Sequence, residues 1–207
     1  MAVITNYTTL QTAIADNLAR SDLTSFLPNF TQQWEERFYR TSQNWGSWME
    51  SALNATITNG VAPVPTDYLG LKVAYISGQR SPPLKRIGLE QLYQRYPRAG
   101  GTGVPAYIAR NGSNFEFGPI AGSSGNLVGT YYAKPTVLRT DSDGINWLIT
   151  NAPDLCLYGS LLEAEVFIKH DERLLTWKAF YDSALDAYRT QMREEDYSGS
   201  APNTVVA

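Results

Sequence analysis

The apolar residues of this chain change their spacing twice along its length, and that change constrains the fold more than any single motif. Over the first forty residues, and again from about residue 153, they recur at i+3 and i+4, as on one face of a helix. Between these stretches they fall in short β-prone runs broken by Gly, Pro and Asn. Helices and strands segregated in this way predict an α+β fold and not alternating βαβ units. The expected organisation is a helical bundle made by residues 1–50 together with residues 141–195, a β-rich insertion at 51–140, and an extended tail at 196–207.

At the N-terminal end, Leu10, Ile14 and Leu18 give one helix an apolar face. Thr8-Thr9-Leu10-Gln11 fits a capping box at its start, and it should stop around Arg20-Ser21-Asp22. Pro28 opens a second helix, where its missing N–H costs nothing. Phe30, Trp34 and Phe38 form the buried stripe of that helix. Gln32, Glu35, Glu36, Arg37 and Arg40 take its solvent side, with Glu36 and Arg40 spaced for a surface pair.

In the insertion, strands are expected at Ala55–Ile57, Leu71–Ile76, Tyr107–Ala109, Phe115–Phe117 and Leu127–Tyr132, making a small antiparallel sheet. Asn111-Gly112 is a hairpin signal because both residues accept positive φ, and Asn59-Gly60 is a second. A short helix is expected at Leu89–Tyr96, followed by a flexible Gly-rich loop at Arg98–Gly103.

After the polar connector Thr140–Gly144, two helices are expected from Pro153 to Glu195, with a break near His170-Asp171. The first has Leu155, Tyr158, Gly159, Leu162 and Val166 on one side and Leu157, Leu161 and Ile168 on another, which places it centrally. The last carries Leu174, Trp177, Tyr181, Ala184 or Leu185, and Tyr188 on one stripe.

The chemistry that remains open to such a chain is narrow. Cys156 is the single cysteine and His170 the single histidine, so neither an intramolecular disulfide nor a Cys/His metal site is available, and the chain reads as made in a reducing cytoplasm. No run nears the roughly 20 apolar residues of a membrane span, and Met1–Asn6 lacks the pattern of a leader, so a soluble chain is expected. A net charge of −3 and a pI near 5.2 speak against gripping nucleic acid through its phosphates. Only 18% of residues are charged, below the usual figure of about 25%, which leaves surface for burial against partners.

Paired carboxylates are the main route to catalysis. The obvious clusters, Glu35-Glu36 and Glu194-Glu195-Asp196, sit in charge-rich contexts and read as solvated helix faces. His170 lies at a helix end without a nucleophile, and Cys156 has no basic neighbour to lower its thiol pKa. Gly100-Gly101-Thr102-Gly103 lacks the Lys-Ser/Thr that completes a phosphate loop. Of the tryptophans, Trp34, Trp147 and Trp177 suit core or helix-start positions, while Trp45 and Trp48 are candidates for subunit contact or, less readily, a glycan platform.

Several of these stretches, in this order, resemble the head-to-tail adaptor (connector) family of tailed bacteriophages, to which podovirus tail accessory proteins and gene-transfer-agent adaptors are similar. Tyr7-Thr8-Thr9-Leu10, Phe26-Leu27-Pro28-Asn29-Phe30 and Trp34-Glu35-Glu36-Arg37 resemble its paired N-terminal helices. Val64–Leu69 is similar to the start of its sheet, Tyr107–Pro119 to its hairpin, and Tyr131–Pro135 to a strand end. The fullest likeness runs through Asn146-Trp147-Leu148-Ile149 and Ala152–Glu165. Leu27-Pro28 stands where the family often has isoleucine-proline, and the Gly-rich loop has no counterpart.

The resemblance implies a non-enzymatic virion component at the head-to-tail junction, with no cofactor. It implies a ring, dodecameric under a dodecameric portal, that extends the DNA channel and offers a surface to a tail nozzle or tube. It also implies that the C-terminal tail reaches the portal or a neighbouring subunit. Tyr197, Pro202, Val205 and Val206, apolar side chains on a polar tail, are the expected docking residues. The alternative on the same fold is a virion-associated peptidoglycan-cleaving protein, with Glu35 as its acid/base group.

Overall fold

A computed structural model describes residues 3–78, 82–97, 101–122, 125–139, 144–168 and 172–197. It is α+β, and its contacts divide it into two units: residues 1–48 with 135–207, and residues 49–134.

The first unit is helical. Helix α1 (Tyr7–Leu18) is capped by Asn6, whose side chain accepts the Thr9 N–H at 2.9 Å while the Thr9 hydroxyl oxygen accepts the Asn6 N–H at 3.0 Å. The box therefore begins two residues before the expected Thr8, because Asn6 is the stronger cap and Thr9 fills the position usually held by Glu or Gln. Leu10, Ile14 and Leu18 are buried as expected. Ala19, in the left-handed region at φ 54°, ends the helix.

Helix α2 (Leu27–Arg40) has Pro28 in its first turn, and Arg37 and Arg40 in its last, where positive charge suits the helix dipole. Phe30, Trp34 and Phe38 are buried, but so are Thr31, Glu35 and Tyr39, so the buried stripe is two residues wide. Arg40 donates to the backbone oxygen of Glu36 and not to its carboxylate, which takes Gln32 instead.

Helix α4 (Trp147–Asn151) is capped by the Asn146 side chain, and helices α5 (Pro153–Ile168) and α6 (Leu174–Tyr197) follow. α5 packs against α1, α2, α4 and α6, as a central helix should. Its last turn departs from the expectation: Val166 is 76% exposed and Phe167 45%. On α6, Trp177 and Tyr188 are buried on the expected stripe, with Met192 one turn further. The helix runs two residues past the expected Glu195, and Gln191 supports its last turn by donating to Glu195 at 3.0 Å. The helix break at His170-Asp171 and most of the connector at residues 140–143 lie outside the described residues.

The second unit holds the strands, divided among three sheets where one was expected. Strand β9 (Asn126–Ala133) is the centre of the first, flanked by β1 (Glu50–Thr56) and β3 (Tyr68–Ile76), both antiparallel to it. The second has the order β2 (Val61–Pro63), β7 (Asn114–Gly118), β6 (Tyr107–Asn111), β4 (Lys85–Arg86). Its β4–β6 pairing is parallel. The third pairs β5 (Thr102–Gly103) with β8 (Ile120–Ala121), also in parallel. The last part of the expected Gly-rich loop is thus strand, and residues 98–100 lie outside the described residues.

Helix α3 (Leu89–Arg95) has the expected place and packs on β6 and β7. The β6–β7 hairpin turns at Gly112-Ser113, with only Gly112 at positive φ. Asn59-Gly60, the second candidate, has positive φ at both residues, and Thr58 and Val61 exchange backbone hydrogen bonds across it. Leu71, Ile76, Ile108, Phe115, Phe117 and Leu127 are central to the core of this unit.

Candidate interaction surfaces

Two of the residues that invite a catalytic reading, Glu35 and Cys156, are placed where they build structure. Glu35 is fully buried in the helical unit. Both of its carboxylate oxygens accept the Leu138 N–H at 3.2 Å, and one also accepts from the Tyr39 hydroxyl and the Asn146 side-chain amide, each at 3.3 Å. It therefore leaves the solvated face on which its charged neighbours placed it. A residue one step round from Trp34 falls inside once the buried stripe is this wide. Burial, with the Glu35 charge adding to it, pushes the Tyr39 phenol far up. The same two causes raise the Cys156 thiol, which is buried in the helical unit.

Of the second acidic cluster, Glu194, Glu195 and Asp196 are exposed on α6. Glu195 accepts from the Ser47 hydroxyl at 2.6 Å. Among the described residues no group of His, Cys, Asp and Glu has the arrangement of a metal site. His170 lies outside the described residues.

Trp48 and Trp147 stack on each other, 5.1 Å apart and 4° from parallel, so each gives one ring face to the other. Trp48 donates to the Tyr188 hydroxyl at 3.0 Å, which donates onward to the Asn44 carbonyl at 2.7 Å. Burial is the main cause that pushes the Tyr188 phenol up to about 12. Trp45 donates to the Tyr39 carbonyl at 2.8 Å. Its ring borders an open cavity of about 470 Å³ whose other walls include Arg189, Met192 and Arg193. Both indoles are half-buried parts of the bundle, which was not legible from their Gly-Ser spacing.

Sequence reasoning missed two surface features. One is apolar: Val166 (76% exposed), Leu175 (79%) and Phe180 (50%) stand out from α5 and α6, with Phe26 packed on Phe167 at 5.1 Å. Val166 sits on a side of α5 that reads as core, whereas Leu175 and Phe180 fall off the stripe expected on α6, so periodicity turns those two outward without saying what covers them. The other is charge. Residues 49–134 carry eight Lys and Arg against four Asp and Glu, net +4, while the rest of the chain carries nine against sixteen, net −7. The overall −3 conceals this division.

Among the expected docking residues, Tyr197 ends α6. Its side chain lies outside the described residues, as do Pro202, Val205 and Val206. What the described residues assemble is packing, capping and exposed apolar and charged surface. A family model for SU10 adaptor proteins matches residues 5–206, and the chain belongs to that family of structural phage adaptors. No curated protein matches the sequence. Among the described residues no helix is long and apolar enough to cross a membrane.

Proposed function

We propose that this chain is a head-to-tail adaptor that forms a ring beneath the phage portal, extends the DNA channel and presents the surface to which the next tail component attaches. The family match across residues 5–206 is the observation that carries this reading. It is supported by the exposed apolar side chains of α5 and α6, since large side chains left in solvent on a folded bundle gain from being covered by a partner. The ring is a dodecamer matching the portal, built from subunits that fold in the host cytoplasm and end at the head-to-tail junction of the virion. Double-stranded DNA passes through it without being held.

The tail, with Tyr197, Pro202, Val205 and Val206, docks on the portal or a neighbouring subunit. Apolar side chains in an otherwise polar segment gain from being covered by a partner. Deletion of residues 197–207 tests this: the shortened chain should fold and fail to bind portal, and retained full affinity would remove the tail from the interface. The peptidoglycan-cleaving alternative rests on Glu35, which is buried and accepts from Leu138, Tyr39 and Asn146, so no saccharide reaches it. Cell-wall turbidity should fall no faster with the protein than without it, and Glu35→Gln should leave that result unchanged.

A further inference from the structure

At one opening of the β-rich unit's core lies a cleft of about 190 Å³ bordered by Tyr68, Leu71, Arg86, Ile108, Arg110 and Phe115. Its floor is apolar and its rim carries two guanidinium groups. Arg86 opposes Ile108 across the β4–β6 pairing, and Arg110 lies two residues further along β6, so pleating puts all three on one face of the sheet. Arg86 is fixed by donating Nη1 to the Leu71 carbonyl at 2.6 Å. Arg110 donates Nε to the Gly112 carbonyl at 3.0 Å and lies over the Tyr68 ring at 5.2 Å. Both side chains are held by neutral groups, which leaves Nη2 of Arg86 and both terminal nitrogens of Arg110 as donors for an acidic ligand.

We propose that this cleft receives the acidic Glu194-Glu195-Asp196 turn of α6 from a second copy of the chain. The occupant is chosen by charge: the unit that bears the cleft is net +4, and the unit that bears α6 is net −7. Glu194 and Glu195 are exposed at the end of a helix, and their methylene stems match an apolar floor below cationic donors. A nucleic-acid backbone is the poorer fit, since its grip comes from neutralising several phosphates in a row and the cleft offers two arginines. Because the two surfaces differ, the contact is head-to-tail, the kind that closes rings. The inference rests on the ring reading and supplies its subunit contact.

The test is charge reversal on each side, measured by sedimentation velocity across protein concentration and salt, alone and with portal. Wild type should self-associate, and more weakly as salt rises. Arg86→Glu/Arg110→Glu and Glu194→Arg/Glu195→Arg should each weaken association at least tenfold, and an equimolar mixture of the two should recover it. Glu194→Arg alone changes an exposed residue and leaves the bonds of Glu195 to Ser47 and Gln191 in place, so it keeps the test open if either double variant fails to fold. A mixture that associates no better than either variant overturns the contact. So does a portal-bound ring that both variants form as well as wild type, and that result leaves the ring reading standing. Wild type that self-associates as described and makes no ring on portal keeps the contact and removes the portal reading. Retention of duplex DNA that is lost in Arg86→Glu/Arg110→Glu would reassign the cleft to nucleic acid and overturn the proposal.

Discussion

Glu35 and Leu138, 103 positions apart in sequence, are joined by a carboxylate that meets one backbone N–H with both oxygens at 3.2 Å. The bond ties α2 to the chain segment that leads into α4, and the cap residue Asn146 reaches the same carboxylate. Removing the acceptor strands buried donors. Glu35→Ala should therefore cost about 3 kcal/mol or more, and Glu35→Gln about 1–2 kcal/mol because an amide keeps one acceptor oxygen. Urea unfolding of both variants checks this, and unchanged midpoints would contradict the role.

Gly159 permits the close approach of α5 to α2. A Cβ there would lie 2.0 Å from Nε1 of Trp34, a fully buried ring with no room to withdraw. Gly159→Ala should lower stability by about 2 kcal/mol, despite Ala being the better helix former, and lower Tm by about 4–8 °C.

Tyr188 links pH to stability. Its phenol titrates near 12 in the folded chain against an ordinary value of 10.0. The folded form thus holds its proton more tightly than the unfolded form. That stability is fully present below pH 10 and is lost as pH climbs toward 12, a loss of about 2 kcal/mol. Tyr188→Phe should be less stable than wild type at pH 8 by about 1–2 kcal/mol, through the bonds lost to Trp48 and Asn44. The gap should narrow between pH 10 and 12, as followed by denaturant unfolding at each pH.

Much of this architecture is legible in the chain. The i, i+4 rows at Leu10, Ile14 and Leu18 and at Phe30, Trp34 and Phe38 locate α1 and α2, because a buried helix face must repeat at that period. The pairing of β9 with both β1 and β3 is not legible, since partners about fifty to eighty residues away leave no mark on local periodicity. Glu35 was misplaced for a related reason: its type says solvent, and only the tertiary partners Leu138 and Asn146 make its burial tolerable. The Arg86 and Arg110 cleft is absent from any linear motif, because a parallel strand pairing is what brings the two arginines to one face.

The exposed apolar residues of α5 and α6 separate folding from assembly. Val166→Gln and Leu175→Gln remove side chains that are 76% and 79% exposed, so each should change stability by no more than about 0.5 kcal/mol. Binding to partner protein should weaken when both are changed, as read by light scattering with portal. A large stability loss would place these residues in the core instead.

The most direct measurement mixes the purified chain with the portal encoded beside it and weighs and images the product by light scattering and negative-stain microscopy. A ring of this chain capping the portal is the predicted result. Two folded components that remain separate at every concentration tested would contradict the adaptor reading.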